Sequence, residues 1–167
     1  MEALFLVITM TGTAEMIAED IIEAHGAGNN YTLRLVEHAD PSLLQQTRNL
    51  FVLSSTYGTG DIPDPGKAFF DFLKREQKDL SHLHYAVISL GDTVYKDTFA
   101  NGGLQWDALL KQCGALQLVE PLLLDASGTE NMSERAVAWA KHSLQRAKDL
   151  DDRRSVVEES DSGGAGA

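Results

Sequence analysis

The chain has 167 residues, 43% of them hydrophobic, which suits one globular domain with a sizeable core and excludes an unfolded chain. Its formal net charge is -11, from 25 acidic and 14 basic side chains. Such a surface repels nucleic-acid phosphates and anionic membranes, so neither is expected as a partner, and basic protein surfaces are favoured.

In chain order, Ala3 to Ile8 is an apolar run that reads as a buried strand. Ala14, Ile17, Ala18 and Ile21 then recur at helical spacing, predicting a helix over 14–24. Tyr31 to Val36 alternates as a half-buried strand, and Leu50 to Leu53 is a third apolar run. Asp64-Pro65 reads as an N-cap followed by proline in the first helical turn, with Phe69, Phe72 and Leu73 on the inner face of that helix. Tyr85 to Leu90 is a fourth strand. Trp106, Leu109, Leu110 and Cys113 mark a helix that Gly114 ends. Leu118 to Leu124 reads as an uninterrupted fifth strand, in which Pro121 requires an edge position or a bulge. A last helix is expected over about 130–149, with Met132, Ala136, Ala140 and Leu144 on one stripe. The folded domain is thus placed at 1–150, and the charged, then Ser/Gly/Ala-rich segment 151–167 is expected to be a disordered tail.

Strands alternating with helices give an α/β protein with a parallel sheet covered on both faces. Five such units in one domain point to a doubly wound, three-layer sandwich with strand order 2-1-3-4-5. Ligands of these sheets bind beyond the carboxyl ends of the strands, beside strand 1. The loops after strands 1, 3 and 4 therefore carry the chemistry.

The first loop is ITMTGTAE, residues 8–15. A helix N-terminus presents unpaired amides and a dipole that favours an anion. Thr9, Thr11 and Thr13 add hydroxyl donors, and Gly12 allows a tight turn. A single N-cap needs one hydroxyl, so three at alternate positions favour a phosphate cup over simple capping. The second loop is STYGTGDIPDP, residues 55–65, where Tyr57 stands among small polar residues and is free to stack on a planar ring. The third contains GDTVY, residues 91–95, and places a second aromatic, Tyr95, past a strand end. Phe99 is read as core packing at a helix start. Two tyrosines facing one anion cup suit a flat heterocycle that carries a phosphate tail.

These three loops, in this order after these strands, resemble those of the flavodoxins and of the FMN-binding domains of diflavin reductases. The resemblance covers roughly residues 3–148. With a fifth strand taken to be continuous, it is to the short-chain type, similar to the MioC and YqcA group. It implies FMN as cofactor, with Thr9, Met10, Thr11, Gly12, Thr13 and Ala14 around the phosphate and Tyr57 and Tyr95 stacked on opposite faces of the ring. Thr56, Gly58, Gly91 and Asp92 would contact the ring edge through backbone groups, Thr59 and Gly60 would also belong to the cofactor site, and Asp125 would border it. The resemblance further implies a monomeric single-electron carrier rather than a stand-alone enzyme, fed by an NADPH-dependent flavodoxin/ferredoxin reductase and serving an unknown acceptor enzyme. The chain departs from the family pattern in four ways: Ile8 occupies a place that is often Gly, Thr9 one that is often Ser, the spacing from Tyr95 to Phe99 is one residue longer than in many relatives, and Thr59 follows Gly58 where some flavodoxins carry an acid.

Other doubly wound proteins fit less well. A phosphorylatable receiver domain needs acids where Thr9 and Thr56-Tyr57 stand. A nucleotide-hydrolysing P-loop fails because the spacing from Gly60 to Gly66 is too long and Ala68 follows Lys67. Two alternatives remain open: an FMN-dependent NAD(P)H quinone or nitro reductase, and a flavin-free interaction domain. The five histidines show no metal-ligand spacing and read as surface residues. Cys113, the single cysteine, excludes an intrachain disulfide and reads as a core residue. No run spans a membrane and no signal peptide is evident, so a cytoplasmic location is expected.

Overall fold

A computed structural model describes residues 1–162. Six parallel strands form one sheet: β1 (Glu2–Ile8), β2 (Asn30–Leu35), β3 (Asn49–Ser54), β4 (His84–Gly91), β5 (Leu116–Gln117) and β6 (Leu122–Asp125). The order is β2-β1-β3-β4-β5, with β6 also paired to β4. This is the expected doubly wound order, with the fifth strand in two pieces.

The central strands are apolar on both faces because helices cover both. On one face Leu4, Leu6, Leu50, Val52, Tyr85 and Val87 pack under α3 (Asp64–Glu76) and α4 (Asn101–Gln112). There Trp106 of α4 meets Phe69 at 5.9 Å and Phe70 at 5.1 Å between ring centroids. On the other face Phe5, Val7, Phe51, Leu53 and Ile88 pack under α1 (Thr13–His25) and α5 (Met132–Ser162), and Phe5 stacks on Phe51 at 5.0 Å. A four-residue helix, α2 (Leu43–Gln46), leads into β3.

Four expectations need correction. Pro63, not Asp64, holds the N-cap position of α3, because its extended ψ of 142° turns the chain into the helix and Asp64 and Pro65 follow as the first helical residues. On that helix Phe72 is only half-buried, under the cations of Arg75 and Lys78 at 5.5 and 5.9 Å.

The continuous fifth strand is the second. Leu118 still donates to the Tyr85 carbonyl, but Pro121 has no N–H to continue the ladder. The pairing with β4 shifts from His84↔Leu116 to Ile88↔Leu122, which loops out two residues. Trp139 of α5 fills that gap by donating its indole N–H to the Glu120 carbonyl at 3.2 Å.

The third is the tail. Helix α5 crosses residue 150 without a break and reaches Ser162; residues 163–167 of the expected disordered segment lie outside the described residues. Asp151 explains the continuation. Its carboxylate takes Arg48 Nε at 2.6 Å and Asn49 Nδ2 at 2.8 Å, tying α5 to the foot of β3. One turn on, Arg154 and Glu158 form an i,i+4 pair that supports the helix.

The fourth is His84, which is buried rather than on the surface. Its Nδ1 lies 3.1 Å from Asn49 Oδ1 and 4.0 Å from the Asp151 carboxylate. Burial, and then the nearby Arg48 cation, lower its pKa from the usual histidine value. Cys113 is buried in the core as expected.

Asp151→Ala should reduce stability by about 1–2 kcal/mol in urea unfolding, since it removes two hydrogen bonds to a charged group that is partly exposed. A histidine pKa lowered on folding gives stability that is full above the unfolded value near ~6.5 and falls as pH drops through the folded one. Wild-type protein should therefore lose stability below about pH 6.5, and His84→Gln should flatten that part of the pH profile.

Candidate functional site

Ile8, Ser54 and Ser89 stand in register across β1, β3 and β4, so the three loops that follow leave the sheet side by side. The Ser55 amide donates to the Ile8 carbonyl at 2.9 Å and holds the first two loops together.

In the first loop Gly12 is the N-cap of α1, with φ of +87°, and no side chain caps the helix. The threonines are thus not used as caps. Thr9 Oγ1 instead accepts the Gly12 amide at 3.0 Å, which leaves its own hydroxyl proton to donate elsewhere. Thr11 and Thr13 bring their hydroxyls within 3.4 Å of each other. The amides of Thr13, Ala14 and Glu15 have no acceptor among the described residues. Met10 lies 49% exposed beside this cup, which holds no lysine or arginine.

The second loop is closed at its stem. Tyr57 and Asp61 exchange backbone hydrogen bonds of 2.9 and 2.8 Å. The Tyr57 side chain points away from the core, 48% exposed, and Gly58 and Thr59 are exposed beside it. Gly60 is buried, and its φ of +97° is one that only glycine adopts without strain. Its carbonyl accepts two side-chain amides from α4: Asn101 at 2.7 Å and Gln105 at 2.9 Å. Thr56 Oγ1 accepts the Gly102 amide at 3.0 Å.

In the third loop Asp92 builds a turn: its carboxylate accepts the Val94 amide at 2.8 Å and its carbonyl the Tyr95 amide at 3.0 Å. That turn pushes Tyr95 outward, 63% exposed. Gly91 serves the packing: a Cβ there would lie 2.4 Å from the Ala100 nitrogen, and its carbonyl already accepts the Ala126 amide. Phe99 is half-buried. Asp125, at the end of β6, accepts both the amide and the hydroxyl of Thr93 and both donors of Ser127, at 2.7–3.1 Å. The Thr93 hydroxyl first, then the other donors, hold its pKa well below the usual carboxylate range.

Asn101 and Gln105 lie outside the three quoted motifs, and Thr93 lies inside GDTVY with nothing there to mark it as the partner of Asp125. The trace that points to α4 is Gly102-Gly103, since two glycines opening a helix are unfavourable unless a neighbour approaches closely. Here the neighbours are the Ser55 carbonyl and the Ser89 side chain.

A family model described as Flavodoxin matches residues 6–139. The chain belongs to the flavodoxin family. Flavin mononucleotide is the cofactor of that family. The flavodoxin YqcA of Escherichia coli strain K12 is 34% identical over 135 residues, which cover 80% of this chain and 89% of that protein. The sulfite reductase flavoprotein alpha-component of Vibrio cholerae is 33% identical over 144 residues, 84% of this chain but 22% of that protein. Among solved structures, a cysteine-to-alanine variant of a flavodoxin from Pseudomonas aeruginosa superposes with a TM-score of 0.79 at 28% identity, covering 89% of this chain and 99% of that one. Among the described residues no group of three or more His, Cys, Asp or Glu is placed to hold a metal, and no helix is long and apolar enough to cross a membrane.

Because Thr93 and Ser127 donate to the ionised Asp125 carboxylate, acid should loosen the loop after β4. A carboxyl pKa lowered on folding gives stability that is full above the unfolded value near ~4 and is lost as pH falls through the folded one. Asp125→Asn should lower the urea midpoint at pH 7. The gap to wild type should shrink as pH falls below about 4.

Proposed function

We propose that this chain is a cytoplasmic electron carrier that holds FMN between its three loops, takes electrons from an NADPH-dependent flavodoxin/ferredoxin reductase and passes them singly to an acceptor enzyme. One observation carries the reading. A helix is left without a side-chain cap, with free amides and three hydroxyls around it, and the loops that leave the strands in register with it each carry a tyrosine that the core does not use. That set fits FMN. The neutral donors suit a phosphate, and the two exposed aromatics suit a flat ring.

In this reading the amides of Thr13 and Ala14 and the hydroxyls of Thr9, Thr11 and Thr13 bind the phosphate, with Met10 and Gly12 shaping the cup. Tyr57 and Tyr95 stack on the ring from opposite sides and exclude water from its faces. Gly58 and Thr59 offer backbone groups to the ring edge, while Thr56, Gly60, Gly91 and Asp92 fix the loops behind it. Bound there, FMN supplies one-electron redox chemistry, and the chain sets its energetics. Asp61 and Asp92 put negative charge at the same end of the molecule, where Asp64 is paired with Lys67 at 2.6 Å. That field disfavours added electrons on the ring and attracts basic partner surfaces. The single cysteine, which forms no disulfide, supports a reducing compartment.

Purified protein titrated with FMN should quench its fluorescence at one equivalent and prefer FMN to riboflavin; no binding would overturn the reading. Tyr57→Ala and Tyr95→Ala should each weaken FMN binding by about 1–3 kcal/mol, the range known for nucleobases stacked on aromatic side chains. Reduction by an NADPH-dependent reductase should slow as ionic strength rises. Steady NADPH oxidation by the protein alone would point to a stand-alone reductase instead.

A further inference from the structure

The loop between Tyr57 and Asp61 is fastened at two places that differ in kind. Its stem is closed by the paired backbone bonds of Tyr57 and Asp61. Its far side is fastened from outside, where Asn101 and Gln105, one helical turn apart on α4, both donate to the Gly60 carbonyl. A carbonyl oxygen has two lone pairs, so this one is saturated. A Cβ on Gly60 would lie 2.9 Å from Thr98 Cβ and 3.2 Å from Asn101 Nδ2, so the loop also sits close against the start of α4. Among the described residues no hydrogen bond holds the peptide between Gly58 and Thr59, which is exposed on both sides. Gly58 has φ of +55°, a region glycine enters and leaves at little cost.

We propose that Asn101 and Gln105 are positioning residues: by clamping the Gly60 carbonyl they confine the backbone freedom of this loop to the two peptides between Gly58 and Gly60, and so set how differently the protein binds oxidised and reduced FMN. The proposal rests on the reading that FMN stacks on this loop. The physical argument is one of degrees of freedom. A loop pinned only at its stem could relax as a whole when the charge and protonation of the ring change. A loop pinned at stem and far side can answer only by turning the two peptides between those points. The binding difference between the two ring states then depends on those peptides rather than on the average of a mobile segment. Ordinary loop packing would need the clamp for stability alone and would make no distinction between ring states.

The test compares full-length wild type with Gln105→Met, which keeps the length of the side chain and removes its donor, with Asn101→Ala, and with the double variant. In FMN-free protein, exchange of the Tyr57 and Asp61 amides, which close the stem, should speed up at least threefold in each single variant and further in the double. Exchange in the sheet should stay unchanged, which also shows that the variants fold. With FMN, dissociation constants are measured for the oxidised form and, after dithionite reduction, for the reduced form. Their ratio should change at least threefold in the double variant. A ratio unchanged while both constants weaken together would reduce the clamp to packing and overturn the proposal. Unchanged loop exchange would overturn it as well. Wild-type protein that failed to bind FMN would overturn the reading of the site and the redox half of the proposal with it; the exchange measurement, made without FMN, decides the clamp on its own.

Discussion

The loop face of this protein depends on how closely the first turn of α4 is seated on the ends of β3 and β4. The buried Ser89 hydroxyl donates to the Ala100 carbonyl and accepts the Gly103 amide at 2.8 Å, so one side chain of the sheet holds both sides of the helix start. Ala100 itself is left-handed, with φ of +55°, a conformation that a non-glycine residue keeps only when its surroundings fix it. Missing Cβ atoms at Gly91, Gly102 and Gly103 let the backbones meet. Once seated, the helix delivers Asn101 and Gln105 to Gly60 and the Gly102 amide to Thr56. The position of the Tyr57 loop is thus a consequence of contacts made behind it.

Each of the other two loops has its own fastening. Thr9 folds the first loop back onto Gly12, and Asp125 anchors the third through Thr93. The side chains that face outward, Met10, Tyr57 and Tyr95, make none of these bonds. In the proposed reading the two stacking tyrosines are therefore held by bonds that their own side chains do not make, which is what a preorganised site requires. The first loop holds no lysine or arginine, so in the proposed reading dipoles and hydroxyls hold the phosphate within a chain of net charge -11.

Much of this was legible in the sequence because it rests on local pattern. Apolar runs announce strands buried on both faces, and helical spacing announces the covering helices. The three loops stand out because threonine, glycine and tyrosine at strand ends are not what turns alone demand. The misses share a cause: they depend on partners distant in the chain. Nothing near Asp151 tells that Arg48 and Asn49 wait for it at the foot of β3, so a charged stretch read as tail becomes helix. Pro121 signals a fault in the fifth strand, but only the pairing with β4 shows that two residues are looped out. Asn101 and Gln105 look like ordinary residues of an exposed helix start until Gly60 is placed beside them.

Helix α5 also gives the molecule a handle. It begins near the loop face, runs back along the sheet and passes Asp151 at the opposite end, beside the first residues of β3. The only native thiol, Cys113, is buried and would not compete for a coupling reagent. A cysteine placed in the turns after Asp151 would therefore fasten the protein to an electrode or a bead from behind, leaving the loop face turned outward for electron exchange with whatever is in solution.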